Sequence, residues 1–395
     1  MIDVAALLPG GAAAPVTGAP AGRRAATPDA AGRALLLRDR ALAALGRGDP
    51  GAALDHAGEA LAVLGRAGLA SGPDAAAVLV ARAEIEESVD RFGAAAGTIA
   101  AAVAMLDDAV AEDGGTGDSG AGDSGDCLLL WCQAQERSAG LDRLAGEFGA
   151  AAARLTMVLD RAAAAFGAAS PPVARAANAL GVVHKHAGDF DAAQAAYRRA
   201  MAAAEADPDP LVLAGLLHNL GGLAHARGDA TAGIPLAERG LSMRERVLGA
   251  GHPDVARDLN ALGALYHLAG RLGDAAQAYQ RALAVFEEHY RPDHYEVAMT
   301  CANLAVLHGD QGRPAAAEAL GRRSLRILAA ILGPQDAEVG LTLLNLAVAV
   351  ADQGRQAEAA ALAVRASAVL TARLPAGHPH VLAAGQVLDR LGRPS

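Results

Sequence analysis

Aromatic side chains, cysteine and lysine are all scarce in this sequence. Phe, Trp and Tyr make up 3% of the 395 residues, cysteine occurs three times, and Lys185 is the only lysine. Hydrophobic residues nevertheless reach 52%, and alanine supplies much of that fraction. We therefore expect a core of small side chains in which helices approach one another closely.

Positive charge is outnumbered as well. The formal net charge is -10, and all but one of the 34 basic residues are arginine. Sequence-independent binding to nucleic acid needs a basic face that displaces counterions. We expect a soluble protein with no nucleic-acid partner.

The cysteines give no sign of a disulfide framework. Cys127, Cys132 and Cys301 form no CxxC pair, and any pairing scheme leaves one of them over. The N-terminal stretch lacks a basic region, and Pro9 and Gly10 interrupt its short apolar run, so we expect no signal peptide. No apolar run approaches the length of a membrane span. These features predict a cytoplasmic protein without a membrane partner.

A turn position, usually Gly followed by Asp or Arg, recurs along the chain. We call these positions the markers: Gly48, Asp90, Gly146, Gly188, Gly228, Gly270, Gly312 and Gly354. Successive markers lie 42, 56, 42, 40, 42, 42 and 42 residues apart. The single long interval exceeds 42 by the length of the Gly-, Asp- and Ser-rich segment 113–126, which we interpret as an inserted loop. A constant period of this length predicts a solenoid of about eight stacked units.

Each unit has the pattern of two helices joined by a tight turn. Apolar residues follow the helical spacing of three and four, and no strand alternation is present. Ala or Gly always stands seven residues before and five residues after the marker, as at Gly181 and Ala193. Small residues of this kind are needed where two helices cross closely. The marker Gly suits the left-handed conformation that ends the first helix, and Asp49, Asp189 and Asp229 can cap the second. The sequence thus predicts an all-α fold.

The two ends of the chain differ from the repeats. Residues 1–32 are rich in Ala, Gly and Pro and are predicted to be a disordered tail, with the solenoid occupying 33–395. A helix at about 379–392 is expected to cover the last apolar face. Within the solenoid, the unit around Gly228 contains several glycines and Pro235, so we hypothesise a hinge between Gly221 and Gly240.

The repeated unit resembles the tetratricopeptide repeat. Leu180-Gly181, Leu220-Gly221 and Leu262-Gly263 match the Leu-Gly pair of its first helix, and Ala193 and Ala275 match the Ala of its second. The 42-residue length, with Leu248-Gly249, His252-Pro253 and Val255-Ala256 between repeats, is similar to that of kinesin light chains. The resemblance implies a right-handed superhelix whose first helices line a concave groove.

Motifs for catalysis or cofactors have simpler explanations. Residues 46–51 match GxGxxG but coincide with a repeat turn and follow a helix, and the doubled GDSG lies in the low-complexity insertion. His184 and His186 are two residues apart on a helix and point to different faces, so packing is favoured over metal binding. We therefore predict no enzyme activity, no cofactor and no metal.

The expected groove carries cations and amides in an otherwise acidic chain. Counting back 13, 10, 6 and 3 residues from a marker selects one face of the first helix, and asparagines lie on it or beside it. The candidate binding residues are Arg175, Asn178, Lys185, His218, Asn219, His225, Arg257, Asn260, His267, Asn303 and Asn345. Amides can hydrogen-bond a peptide backbone, and the cations favour acidic side chains or a terminal carboxylate. An alternative left open is that the asparagines only bridge neighbouring helices.

The function predicted from these features is a non-enzymatic scaffold that binds a protein or peptide. The alternatives are a regulatory receptor that changes its pitch when a peptide enters the groove, and an accessory subunit of an enzyme or signalling system carried on another chain.

Overall fold

The structure of the protein is a computed structural model that describes residues 29–47, 49–89, 91–113, 121–206, 208–374 and 376–391. Within these ranges it consists of seventeen α-helices and no strand. The helices are α1 Ala30–Gly46, α2 Pro50–Arg66, α3 Pro73–Ser88, α4 Phe92–Asp113, α5 Ala121–Leu144, α6 Phe148–Phe166, α7 Pro171–Ala187, α8 Phe190–Ala204, α9 Pro210–Ala226, α10 Ala230–Leu248, α11 Pro253–Leu268, α12 Leu272–His289, α13 Tyr295–Asp310, α14 Pro314–Ile331, α15 Ala337–Ala351, α16 Gln356–Arg373 and α17 Pro379–Leu391. The predicted all-α repeat fold is confirmed.

The turns between paired helices form as the markers predict. All six markers from Gly146 to Gly354 adopt positive φ, between 69° and 83°. Side chains of Asp49, Asp189 and Asp229 accept hydrogen bonds of 3.0, 3.1 and 3.0 Å from backbone N–H groups in the first turn of the second helix. Gly48 and Asp90 lie outside the described residues. A short glycine turn and a capped start therefore fold each helix back on the preceding one.

The chain divides between Asp209 and Pro210 into two compact units. The first unit contains α1 to α8, and its cores are built mainly from small residues such as Ala41, Ala53 and Ala139. The second unit contains α9 to α17 and has a larger continuous core that includes Phe286. In each unit, neighbouring helices pack pairwise as in tetratricopeptide solenoids.

Close helix contacts explain the glycines of the paired helices. A Cβ on Gly181 would lie 2.5 Å from the Tyr197 ring, and one on Gly263 would lie 2.7 Å from the Tyr279 ring. Both rings are fully buried. The aromatic residue of the second helix thus occupies the space that a side chain on the first helix would need.

The glycines of the α9 and α10 pair are also packed. A Cβ on Gly233 would lie 2.5 Å from Leu265, and one on Gly240 would lie 3.1 Å from the Ala214 carbonyl oxygen. Close packing therefore accounts for these glycines. Pro235 lies inside α10, as the hinge hypothesis assumed. The hinge itself stays a prediction.

Some predicted boundaries differ from the structure. Helix α1 begins at Ala30, because Asp29 caps it with a 2.7 Å hydrogen bond from Gly32 N–H, so residues 30–32 are not part of the predicted tail. The inserted loop predicted at 113–126 is shorter, since α4 extends to Asp113 and α5 begins at Ala121.

The predicted tail and insertion lie largely outside the described residues, and the predicted terminal helix is present. Residues 1–28 and 114–120 lie outside the described part of the chain. Helix α17 occupies the place predicted for a terminal helix and packs on α15 and α16.

The expectation that no apolar run reaches the length of a membrane span is wrong for α4. Residues Phe92–Ala111 are long and apolar enough by length and composition, with a mean hydropathy of 1.5. Alanine supplies much of that apolar character, and only one stripe of the helix is buried, with Ile99 and Leu106 as its large members. The stripe has the spacing of one helix face, and α4 packs with it against α3 and α5.

Candidate functional site

In the first unit, the predicted cations are engaged or buried. The Nε atom of Arg175 on α7 lies 3.4 Å from Oε2 of Glu136 on α5. Burial raises the pKa of Glu136 to about 7, although the charge of Arg175 lowers it. Lys185 is only 8% exposed, and Asn178 is half-buried. Neither Arg175 nor Lys185 therefore presents an uncompensated charge at the surface.

In the second unit, Arg257 has acidic partners on two sides. Its Nε atom donates to Oε1 of Glu296 on α13 at 2.8 Å, and it also pairs with Asp254 on its own helix. A third contact joins Nη2 to the hydroxyl of Tyr290 at 3.2 Å. Burial lowers the pKa of Arg257, but the charge and hydrogen bond of Glu296 together with the charges of Tyr290 and Asp254 more than offset this, so the pKa lies above its ordinary value.

Two of the three predicted histidines face carboxylates. Nδ1 of His218 lies 2.8 Å from Oδ1 of Asp258, an atom that also accepts a 2.5 Å hydrogen bond from Arg244. Nε2 of His267 lies 2.6 Å from Oδ2 of Asp310. His225 is half-buried near the end of α9. The histidine contacts hold α9 to α11 and α11 to α13.

The asparagines include one bridge between helices. Asn303 Nδ2 on α13 donates to Asn260 Oδ1 on α11 at 3.2 Å, and Asn260 is only 5% exposed. The bridging role left open by the sequence is therefore shown for this pair. Asn219 and Asn345 are half-buried on α9 and α15.

Sequence reasoning missed the acidic partners. Apart from Asp254, each partner lies one repeat away from the residue it contacts, at separations of 39 to 43 residues along the chain. Tyr295 and Glu338 follow the same rule, with the Tyr295 hydroxyl 3.0 Å from Oε2 of Glu338. We call these side-chain contacts the inter-repeat ladder: Arg175–Glu136, His218–Asp258, Arg257–Glu296, Asn260–Asn303, His267–Asp310 and Tyr295–Glu338. The signal in the sequence that could have revealed these contacts is a pair of complementary residue types, such as Arg and Glu, separated by about one repeat.

The inter-repeat ladder fixes the register of neighbouring helices and leaves few charged groups for binding or catalysis. Its charged members are neutralised within the protein, and partly buried pairs of this kind hold neighbouring elements in one register. Within the described residues, no group of three or more His, Cys, Asp or Glu side chains is placed to hold a metal ion. The arrangement can hold first helices in register and offer amide groups between them.

A family model and several solved structures match this chain. The model of the tetratricopeptide repeat matches residues 132–206, 212–288 and 290–372, which together exceed half of the sequence. No curated protein matches.

Among solved structures, the Rap protein complexed with Competence and Sporulation Factor is 14% identical to this chain, with a TM-score of 0.56. The match covers 81% of this chain and 85% of the Rap chain. BtubC (BKLC) from P. vanneervenii is 24% identical over 56% of this chain and 89% of its own, with a TM-score of 0.48. Nearly identical TPR-like repeats of kinesin-light-chain type from Podosopora anserina are 22% identical over 47% of this chain and 87% of their own, with a TM-score of 0.41.

The sequence and the structure agree with these matches. Helix pairs repeat at 42 residues, and the Gly of each Leu-Gly pair, as at Gly181 and Gly263, packs against the second helix of its repeat. The Rap structure shares the fold over most of both chains. The chain therefore belongs to the tetratricopeptide repeat family.

Proposed function

We propose that this protein is a non-enzymatic scaffold that binds a protein or peptide along the first helices of its repeats. The observation that carries the proposal is the inter-repeat ladder of the second unit. Arg257, Asn260 and His267 on α11 each contact a residue on α13, one repeat further along the chain. A surface held in register before a partner arrives loses little conformational freedom on binding.

The available side chains indicate the chemistry of the partner. Asn345 and Asn303 are half-buried on α15 and α13, and Met299, Val306 and Val348 on the same helices are partly exposed. Amides among apolar side chains suit an extended peptide, whose backbone needs hydrogen bonds and whose side chains need apolar contacts.

The predicted preference for acidic side chains or a free C-terminus is a finer part of the proposal. An acidic partner would have to compete with Glu296 and Asp254 for Arg257, and with Asp310 for His267. We therefore expect the preference to contribute less than the amide and apolar contacts. Raising the salt concentration should weaken binding only slightly, because screening acts mainly on exposed charges.

Site-specific crosslinking tests the proposal. A photoreactive amino acid placed at Asn345 should capture the physiological partner in the native host, whereas the same group at Gln280, exposed on the second helix α12, should not. The identified partner should then bind the Asn303→Ala and Asn345→Ala double variant more weakly than it binds a Gln280→Ala control. Equal capture at both positions, or equal affinity of both variants, would contradict binding on the first helices.

A regulatory receptor is the second candidate function. The Rap protein, which shares the fold, was crystallised in complex with Competence and Sporulation Factor. Hydrogen exchange of this chain with and without its partner separates the candidates. Increased protection confined to the contact residues indicates a passive scaffold, and changes spread over several repeats indicate a receptor.

We also propose that the protein acts in the cytoplasm. Cys132 and Cys301 are free thiols buried within the helices. Free thiols support a reducing compartment. Fractionation of host cells with an antibody against the protein tests this assignment.

A further inference from the structure

The second unit has a cavity whose lining includes none of the candidate binding residues. It has a volume of about 340 Å³ and lies between α10 and α12, with α11 forming its floor. Leu241, Leu259, Leu262 and Ala278 provide its apolar part. The volume is in the range of sites that hold small ligands or single side chains.

A change in the repeat pattern opens this cavity. Ala278 stands eight residues after its marker, where the other three repeats of the second unit have Leu236, Leu320 and Leu362. Leu320 packs against the core at its position, alongside buried residues such as Leu304. The shorter side chain of Ala278 leaves space that the fold fills elsewhere.

The rim of the cavity is acidic. Glu238 and Glu245 on α10 and Asp274 on α12 line it, and Arg281 is the one cation among the lining residues. Arg281 pairs with Glu245 at 2.9 Å, and Asp274 pairs with Arg271 at 2.7 Å. Glu238 accepts a hydrogen bond of 2.7 Å from the neutral hydroxyl of Tyr266, and the nearby Arg271 guanidinium, 4.3 Å from the centre of the Tyr266 ring, pairs with Asp274 rather than with Glu238.

We propose that this cavity binds the side chain of an arginine or lysine from a partner polypeptide. Long basic side chains lay their apolar stems on hydrophobic surface and keep the charged head at the edge. Here the stem would lie over Leu262 and Ala278, and the head would reach Glu238 at the rim. The negative rim also attracts a basic segment before contact is made. This site does not depend on the proposed binding along the first helices.

Two capped pentapeptides test the proposal, Ac-Ala-Ala-Arg-Ala-Ala-NH₂ and the same peptide with glutamine in place of arginine. The full chain is labelled with ¹³C at its leucine and alanine methyl groups, and methyl chemical shifts are followed during titration. The arginine peptide should shift the signals of Leu241, Leu262 and Ala278 to saturation. Its affinity should exceed that of the glutamine peptide by about fivefold, because a partly exposed ion pair contributes up to about 1 kcal/mol.

Two variants probe the apolar part of the cavity and its rim separately. Ala278→Leu restores the residue found in neighbouring repeats, so it should fold normally and lose the shifts, while Gln280→Leu on the exposed face of α12 should keep them. Glu238→Gln should remove the preference for arginine over glutamine, and the exposed Glu288→Gln should not. Unchanged binding to a folded Ala278→Leu variant, or equal affinity for both peptides, would overturn the proposal.

Discussion

At the scale of single residues, Gly263 sets the distance between α11 and α12. The Tyr279 ring lies against its Cα, and a Cβ there would be 2.7 Å from two ring carbons. Tyr279 is fully buried, so the ring cannot turn aside without opening the helix pair. Gly273 on α12 has no neighbour within 4 Å of the corresponding position and provides a matched control.

We predict that Gly263→Ala lowers the free energy of unfolding of the second unit by about 1–3 kcal/mol, the usual cost of forcing extra atoms into a packed core. Gly273→Ala should be neutral or stabilise by up to about 1 kcal/mol, since alanine is the better helix former. Urea unfolding followed by circular dichroism measures both. Equal stability of the two variants would show that the helix pair accommodates the added methyl group.

Glu338 predicts a pH dependence of stability. Burial raises its pKa to about 7, although the hydrogen bond from Tyr295 lowers it. The pKa of a glutamate in an unfolded chain is about 4.3, so the folded protein binds the proton more tightly than the unfolded chain does. Proton binding at Glu338 therefore stabilises the folded protein. This stabilisation is fully present below the pKa of the unfolded glutamate and is lost as the pH rises through about 7.

Glu338→Gln should therefore be more stable than the unchanged protein at pH 8, by on the order of 1 kcal/mol, and similar to it at acidic pH. Glutamine mimics the protonated acid and does not titrate. Denaturant midpoints across this pH range provide the measurement, with the exposed Glu288→Gln as control. The prediction fails if both variants keep the pH profile of the unchanged protein.

Local residue patterns were predictable, and contacts across repeats were not. The left-handed markers such as Gly188 and the cap at Asp189 follow from a few adjacent residues, and the structure confirms both. Besides Asp254 on its own helix, Arg257 pairs with Glu296, 39 residues away, and no local pattern identifies this second partner. Arg175 and Arg257 were therefore interpreted as available, although carboxylates of a neighbouring repeat pair with them.

At the scale of helices, Pro235 interrupts the hydrogen bonding of α10. It lies in the second turn and is exposed, so its ring contributes little packing to offset the missing N–H. Pro314 is the first residue of α14, where the N–H has no helical partner in any case. The two prolines differ in position, and their substitution should differ in effect.

Pro235→Ala should stabilise α10 by up to about 3 kcal/mol, whereas Pro314→Ala should change stability little. Hydrogen exchange resolved to single repeats measures this locally. If the hinge hypothesis holds, residues 215–245 exchange faster than both flanking repeats in the unchanged protein and gain protection in Pro235→Ala. If residues 215–245 of the unchanged protein are as well protected as the flanking repeats, the hinge hypothesis is wrong.

The existence of the helices was easier to predict than their ends. The 42-residue period predicts every pair, because each pair repeats the same packing problem. The start of α5 was misplaced, since a Gly-, Asp- and Ser-rich composition suggested a loop through 126, whereas the helix begins at Ala121. Packing by residues such as Trp131 further along α5 stabilises a helix that composition alone does not favour.

At the scale of the whole molecule, the two compact units have separate reporters. Trp131 is the only tryptophan, and it is fully buried in the first unit, with its indole N–H donating to Asp107 at 2.6 Å. Its fluorescence therefore follows the first unit alone. Circular dichroism follows the helices of both units.

We predict that Gly263→Ala lowers the midpoint seen by circular dichroism and leaves the Trp131 fluorescence midpoint unchanged. Gly181→Ala in the first unit should lower the fluorescence midpoint. Long repeat arrays commonly unfold in parts because each repeat depends mainly on its neighbours. A parallel shift of both signals in Gly263→Ala would show that the units unfold as one cooperative body.

The native thiols have a practical consequence for labelling. Burial raises the pKa of Cys132 to about 12 and that of Cys301 to about 11, and Cys127 is buried as well. Maleimide dyes react with the accessible thiolate, which these positions do not offer while the helices are intact. A cysteine introduced at Gln280 would thus take up dye selectively, and pairs of such sites would allow distance measurements by fluorescence transfer without replacing any native cysteine.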